Sequence, residues 1–147
     1  MKTTLAALLV TLMTSGTTIA SDEAPSDKVN SLVDYNWKNR IFLIQEPASS
    51  AKVIQALTDD SKAVNERDVI WFVVGKDSIA SNQAGPLSDS LKSQVKSSFT
   101  NRSRQTILIG KDGGIKSRTD EFDLDQLYKQ IDAMPMRKRE IEKERRH

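Results

Sequence analysis

Three short runs constrain this chain more than any other feature: Ile41-Phe42-Leu43-Ile44, Val69-Ile70-Trp71-Phe72-Val73-Val74 and Thr106-Ile107-Leu108-Ile109. They are rich in β-branched and aromatic residues and too short for buried helices, so each reads as a strand covered on both faces. Between the first two, Pro47 stops the strand, Ser49 or Ser50 can cap a helix, and Val53, Leu57 and Val64 mark its buried side. Two buried strands joined by a helix make a parallel βαβ unit.

The remaining elements follow from periodicity and turn chemistry. Ahead of the first strand, Val29, Leu32, Val33 and Trp37 recur at helical spacing. A Gly/Ser/Asn-rich loop, Lys76 to Gly85, precedes a helix marked by Leu87, Leu91, Val95 and Phe99. Lys111-Asp112-Gly113-Gly114 supplies the positive-φ residues of a tight hairpin, and Ile115 to Arg118 returns as a fourth strand. Asp123 as cap, Gln126 three residues on and the Phe122/Leu127 staple predict a helix from Leu124 to Ala133, which Pro135 should end. The order β-α-β-α-β-β-α predicts an α/β, thioredoxin-like fold: a central four-stranded mixed sheet flanked by helices, with the third strand antiparallel beside the first.

The first twenty residues have the form of an export signal: Lys2, an apolar run from Leu5 to Met13, and the small-x-small site Thr18-Ile19-Ala20. The expected organisation is therefore a signal peptide over 1–20, a flexible leader over 21–27, a domain over 28–136 and a charged tail over 137–147. The destination is periplasmic or extracellular, without stable membrane insertion after cleavage. That compartment is oxidising, yet the sequence has no cysteine, so stability comes from packing without disulfides, and thiol redox catalysis is excluded. A net charge of +2 is too small to point to nucleic acid. In the tail, Arg137-Lys138-Arg139 and Arg145-Arg146 alternate with Glu140, Glu142 and Glu144, the pattern of a solvated helix or disordered end.

The proposed topology brings Ser49, Ser50, Lys76, Arg102 and Arg104 to one end of the sheet. A helix amino terminus among basic side chains suits a carboxylate, sulfate or phosphate, unless Glu46 supplies the negative charge itself. Trp37, Arg40 and Lys111 fall at the opposite end, where Trp37 is expected to pack as part of its apolar stripe. Asp120, Glu121, Asp123 and Asp125 lack the glycine and distant glutamate of a calcium loop, and the lone His147 is terminal, so neither metal nor cofactor is expected.

Four stretches together resemble the DUDES-type domain, a family of unknown function found in secreted bacterial proteins and in animal extracellular proteins with sushi repeats. They are Trp37-Lys38-Asn39-Arg40, Glu66-Arg67-Asp68, Leu108 to Lys116 and Ile131 to Arg137, within a resemblance spanning Val33 to Glu140. The motif residues are Trp37, Arg40, Arg67, Asp68, Lys111, Asp112, Gly113, Gly114, Lys116, Met134, Pro135, Met136 and Arg137. The resemblance implies a thioredoxin- or peroxiredoxin-like fold and brings no catalytic residues. Arg104 is also similarly placed to the arginine that precedes the third strand in peroxiredoxins, but the peroxidatic cysteine is absent.

The expected function is thus that of a non-catalytic module binding another envelope or extracellular protein. Reception of a small anion at the Ser49/Arg104 end is the alternative. Catalysis by carboxylates, arginines and hydroxyls alone is a third possibility.

Overall fold

A computed structural model describes residues 28–101 and 103–147. The expected export signal, the leader and Arg102 lie outside the described residues. The chain forms a single 3-10 turn (Leu32–Tyr35), then β1 (Arg40–Gln45), α1 (Ser50–Asp59), α2 (Ser61–Glu66), β2 (Val69–Val74), β3 (Ile79–Ser81), α3 (Asp89–Ser97), β4 (Gln105–Ile109), β5 (Ile115–Thr119), α4 (Leu124–Asp132) and α5 (Pro135–Arg145). The mixed sheet has the order β3-β2-β1-β4-β5. β1 runs parallel to β2, with Arg40 opposite Val69, and antiparallel to β4, with Gln45 opposite Gln105.

Side-chain alternation divides the core between the two faces of the sheet. Phe42, Ile44, Trp71, Val73 and Leu108 meet Val53 and Leu57 of α1, Val64 of α2, and Leu127 and Ile131 of α4. Ile41, Leu43, Phe72 and Ile107 meet Tyr35 and, from α3, Leu91 and Val95. Phe42, Leu43 and Ile44 are each fully buried, worth roughly 1.5–3 kcal/mol per side chain. Burial on both faces explains why these strands read as unbroken apolar runs.

The sheet has five strands, not the expected four. The fifth, β3, lies in the stretch read as a loop and pairs antiparallel with Phe72 to Val74. Beyond it the side chain of Asn82 continues the pairing: its Oδ1 accepts from Trp71 N at 2.9 Å, and its Nδ2 donates to Val69 O at 3.0 Å. One polar side chain thus replaces backbone partners for the rest of β2.

The other differences lie outside the sheet. The anticipated first helix is one 3-10 turn, capped reciprocally by Ser31 and Asp34. Tyr35 enters the core, while Val33 and Trp37 stand 67% and 69% exposed. Trp37 therefore does not pack as its apolar spacing implied. The segment expected to form one helix from Ser49 or Ser50 to Val64 divides at Asp60. Just before the break, Thr58 Oγ1 donates to Ile54 O, a back-bond that disfavours a straight helix. α4 ends at Asp132, ahead of Pro135 as expected, but Pro135 also begins a further helix whose Arg137 is buried: it occupies the first position of α5, where its missing N–H costs nothing.

Candidate functional site

At the end of the sheet where β1 begins, the chain brings together residues from five separate segments. Arg40 is the first residue of β1, and its amide donates to Asp68 O at 2.9 Å. Asp68 has φ 51, a left-handed conformation that a short polar side chain tolerates. The β4–β5 hairpin carries Lys111 to the same place. That hairpin needs Gly113, whose φ is 81 and where an added Cβ would lie 2.7 Å from Asn36 Oδ1.

Glu140, on the second turn of α5, is the centre of the arrangement. It accepts from both terminal nitrogens of Arg40 at 3.2 Å, from Lys111 Nζ at 2.6 Å and from Arg137 at 3.4 Å. Lys111 also reaches Asp68 at 2.9 Å. Beside this network Arg67 makes a two-point pair with Asp132 at 3.0 and 2.8 Å, and its guanidinium lies 4.3 Å from the Tyr128 ring centroid. Arg40 and Arg137 are buried. Burial pushes the Glu140 carboxyl up, but hydrogen bonds and charge from Lys111 and Arg40 outweigh it, so the net shift is downward. Hydrogen bonds from Lys116 and from the Gly114 amide lower Asp112.

Adjoining the network is an open cleft of about 330 Å³, walled by Arg40, the hairpin from Gly110 to Asp112, Lys116, the start of α5 at Met134 to Met136, and Arg139. Most of the motif residues converge here: Arg40, Lys111, Asp112, Lys116, Met134, Pro135 and Met136 form the wall, and Arg67, Asp68 and Arg137 lie in the ion-pair layer. Gly113 and Gly114 shape the hairpin. Trp37 stands beside it, donating its amide to Lys111 O at 2.6 Å, with φ 66.

At the opposite end, Ser49 precedes α1 without a side-chain capping bond. Ser50 approaches the end of β2: a Cβ on Gly75, the residue before Lys76, would sit 3.3 Å from its Oγ. Arg104 pairs with Glu46 at 2.7 Å, so the carboxylate foreseen as the internal alternative to a bound anion is in place.

The sequence reading missed Glu140 and Asp132 as members of the network. Glu140 sits among alternating charges, and its one local cue is Arg137 three residues earlier. Its main partner is a hundred residues away. Among the described residues no three His, Cys, Asp or Glu side chains are grouped to hold a metal, and no helix is long and apolar enough to cross a membrane.

No curated protein and no solved structure matches the chain. A family model described as a domain of unknown function, DUF4174, matches residues 31–140, from the residue that caps the 3-10 turn to the glutamate at the centre of the network. The chain therefore belongs to the DUF4174 family of domains of unknown function.

Proposed function

We propose that this protein is a non-catalytic, thioredoxin-like module, exported to the periplasm or beyond, that binds another envelope or extracellular component through its Arg40/Lys111/α5 end. The observation that carries the reading is the convergence of motif residues from distant parts of the chain on one cleft. A scaffold needing only stability gains little from so many buried charges, because apolar residues of similar volume do as well or better. The thioredoxin-like element is supported by the order β2-β1-β4-β5 and by the senses of these strands. Export is supported by the pattern of Lys2 to Ala20. The Arg104 end is the weaker candidate, because Glu46 already pairs with Arg104 there.

Site-specific photo-crosslinking in the exporting host tests this. A crosslinker at exposed Lys138, beside the cleft, should give a discrete adduct with an envelope or extracellular component. The same group at exposed Lys52, on α1, should not. Equal labelling from both positions, or none from Lys138, would overturn the assignment of this end to a macromolecular partner.

A further inference from the structure

We infer that the cleft at the amino end of α5 receives an oxyanion, a carboxylate or a phosphate, carried on a small ligand with an apolar body. This rests on the cleft end being the binding end, and it names the chemistry recognised there.

Three independent features point to an anion. First, α5 begins without a cap: Met134 offers no side-chain acceptor and the first turn holds no acidic residue. Helix geometry leaves its first amides unpaired, and these carry the positive end of the helix dipole. Met134, Pro135 and Met136 all line the cleft, so this terminus faces it.

Second, the chain adds cations where the dipole already disfavours them. Arg137, Lys138 and Arg139 follow Pro135 directly. Arg137 is held by Glu140, but Arg139 lies exposed on the cleft wall and has no carboxylate partner among the described residues. Lys116 faces it from the hairpin, held by Asp112 at 2.8 Å in a pair 37% and 43% exposed, loose enough to re-aim. Gly110 makes room for that lysine, since a Cβ there would lie 2.5 Å from Lys116 Cε.

Third, Arg40 walls the cleft at 1% exposure, and its Nε has no hydrogen-bond partner. Its terminal nitrogens are occupied by Glu140 and by Arg67 O, so one buried donor is left over. Buried donors without acceptors are rare in folded proteins and call for an explanation. The wall as a whole carries Arg40, Lys111, Lys116 and Arg139 against Asp112, with Glu140 behind it.

The volume, about 330 Å³, lies at the small end of ligand sites and suits a metabolite-sized molecule. Met134 and Met136 supply a deformable apolar surface for its body. The oxyanion then seats between the helix terminus, Arg139 and Lys116, against the wall that holds the unpaired Arg40 donor.

The test is a titration of the ¹⁵N-labelled full-length mature protein with benzoate, phenyl phosphate, inorganic phosphate and neutral benzamide at matched ionic strength. Saturable shifts of the Gly110 and Met136 amides with benzoate or phenyl phosphate, absent with benzamide, are expected. The tighter of the two arms identifies the ligand as a carboxylate or a phosphate ester. Lys116→Met combined with Arg139→Gln, both at solvent-accessible positions, should weaken binding at least tenfold while leaving the melting temperature within a few degrees. No saturable response, an equal response to benzamide, binding of inorganic phosphate as tight as of phenyl phosphate, or unchanged binding by the double variant would overturn the inference. A crosslink at Lys138 without an anion response removes the ligand class and leaves the binding end standing. An anion response without a crosslink overturns the macromolecular reading alone.

Discussion

Arg40 and Glu140, a hundred residues apart, meet in a two-point ion pair at 3.2 Å, tying the first residue of the innermost strand to the last helix. Arg40 is 1% exposed and the Glu140 side chain 21%. Removing one partner leaves a buried charge uncompensated, which costs more than the pair contributes. We predict that Glu140→Ala destabilises the fold by about 3 kcal/mol. Arg40→Met with Glu140→Leu should recover most of that loss. Chemical denaturation of the three proteins checks both; a Glu140→Ala loss near zero would mean that Lys111 and Arg40 find water instead.

Deletion of residues 138–147 should likewise cost about 3 kcal/mol, because it removes Glu140 from Arg40, Lys111 and Arg137. This departs from the expectation of a merely solvated helix or disordered end over 137–147. Deletion of 145–147, which takes only exposed residues, should stay within about 0.5 kcal/mol. Thermal melts of the two truncations should therefore separate clearly, and coincident melts would contradict the docking of α5.

The pH dependence follows from the downward shift of Glu140. Its ordinary value is 4.5, and the folded state holds it lower, so its contribution is fully present above 4.5. That contribution is lost as pH falls through the lower folded value, where protonated Glu140 comes to resemble glutamine. The stability gap between the native protein and Glu140→Gln should be constant from pH 7 to about 5.5 and close on further acidification. Asp112 titrates in the same direction but is common to both proteins, so the subtraction isolates Glu140.

What the sequence made legible and what it hid divide along the range of the interactions. β1, β2 and β4 were readable because burial on both faces writes itself into consecutive residues such as Ile41 to Ile44. The capped start of α4 was equally local: Asp123 Oδ1 accepts from Gln126 N at 3.0 Å. β3 was hidden because Ile79-Ala80-Ser81 owes its strand conformation to Phe72 to Val74 and not to its own composition. The candidate site was half legible. The motif resemblance picked out Arg40, Arg67, Asp68 and Lys111, but nothing local tells that Glu140 pairs inward while Glu142 stays exposed. Hydropathy cannot show a helix whose inward side is an arginine.

Trp37 failed as a core residue for a specific reason, and that reason supports one more prediction. A 3-10 turn advances at three residues per turn, so the stripe drawn at helical spacing does not stay on one side, and Tyr35 is the residue that goes inward. The chain then turns sharply: Trp37 adopts φ 66, its amide bonded to Lys111 O. For a bulky side chain that conformation costs on the order of 1–3 kcal/mol, and at 69% exposure the ring recovers little by burial. Glycine adopts the same φ without strain but loses more freedom on folding, which offsets part of the gain. Trp37→Gly should therefore leave stability unchanged or raise it by about 1 kcal/mol. A packed tryptophan would lose about 3–5 kcal/mol on comparable truncation. Urea denaturation distinguishes the outcomes by sign: marked destabilisation would restore Trp37 to the core, whereas neutrality or gain identifies it as an aromatic side chain held out to solvent by the backbone.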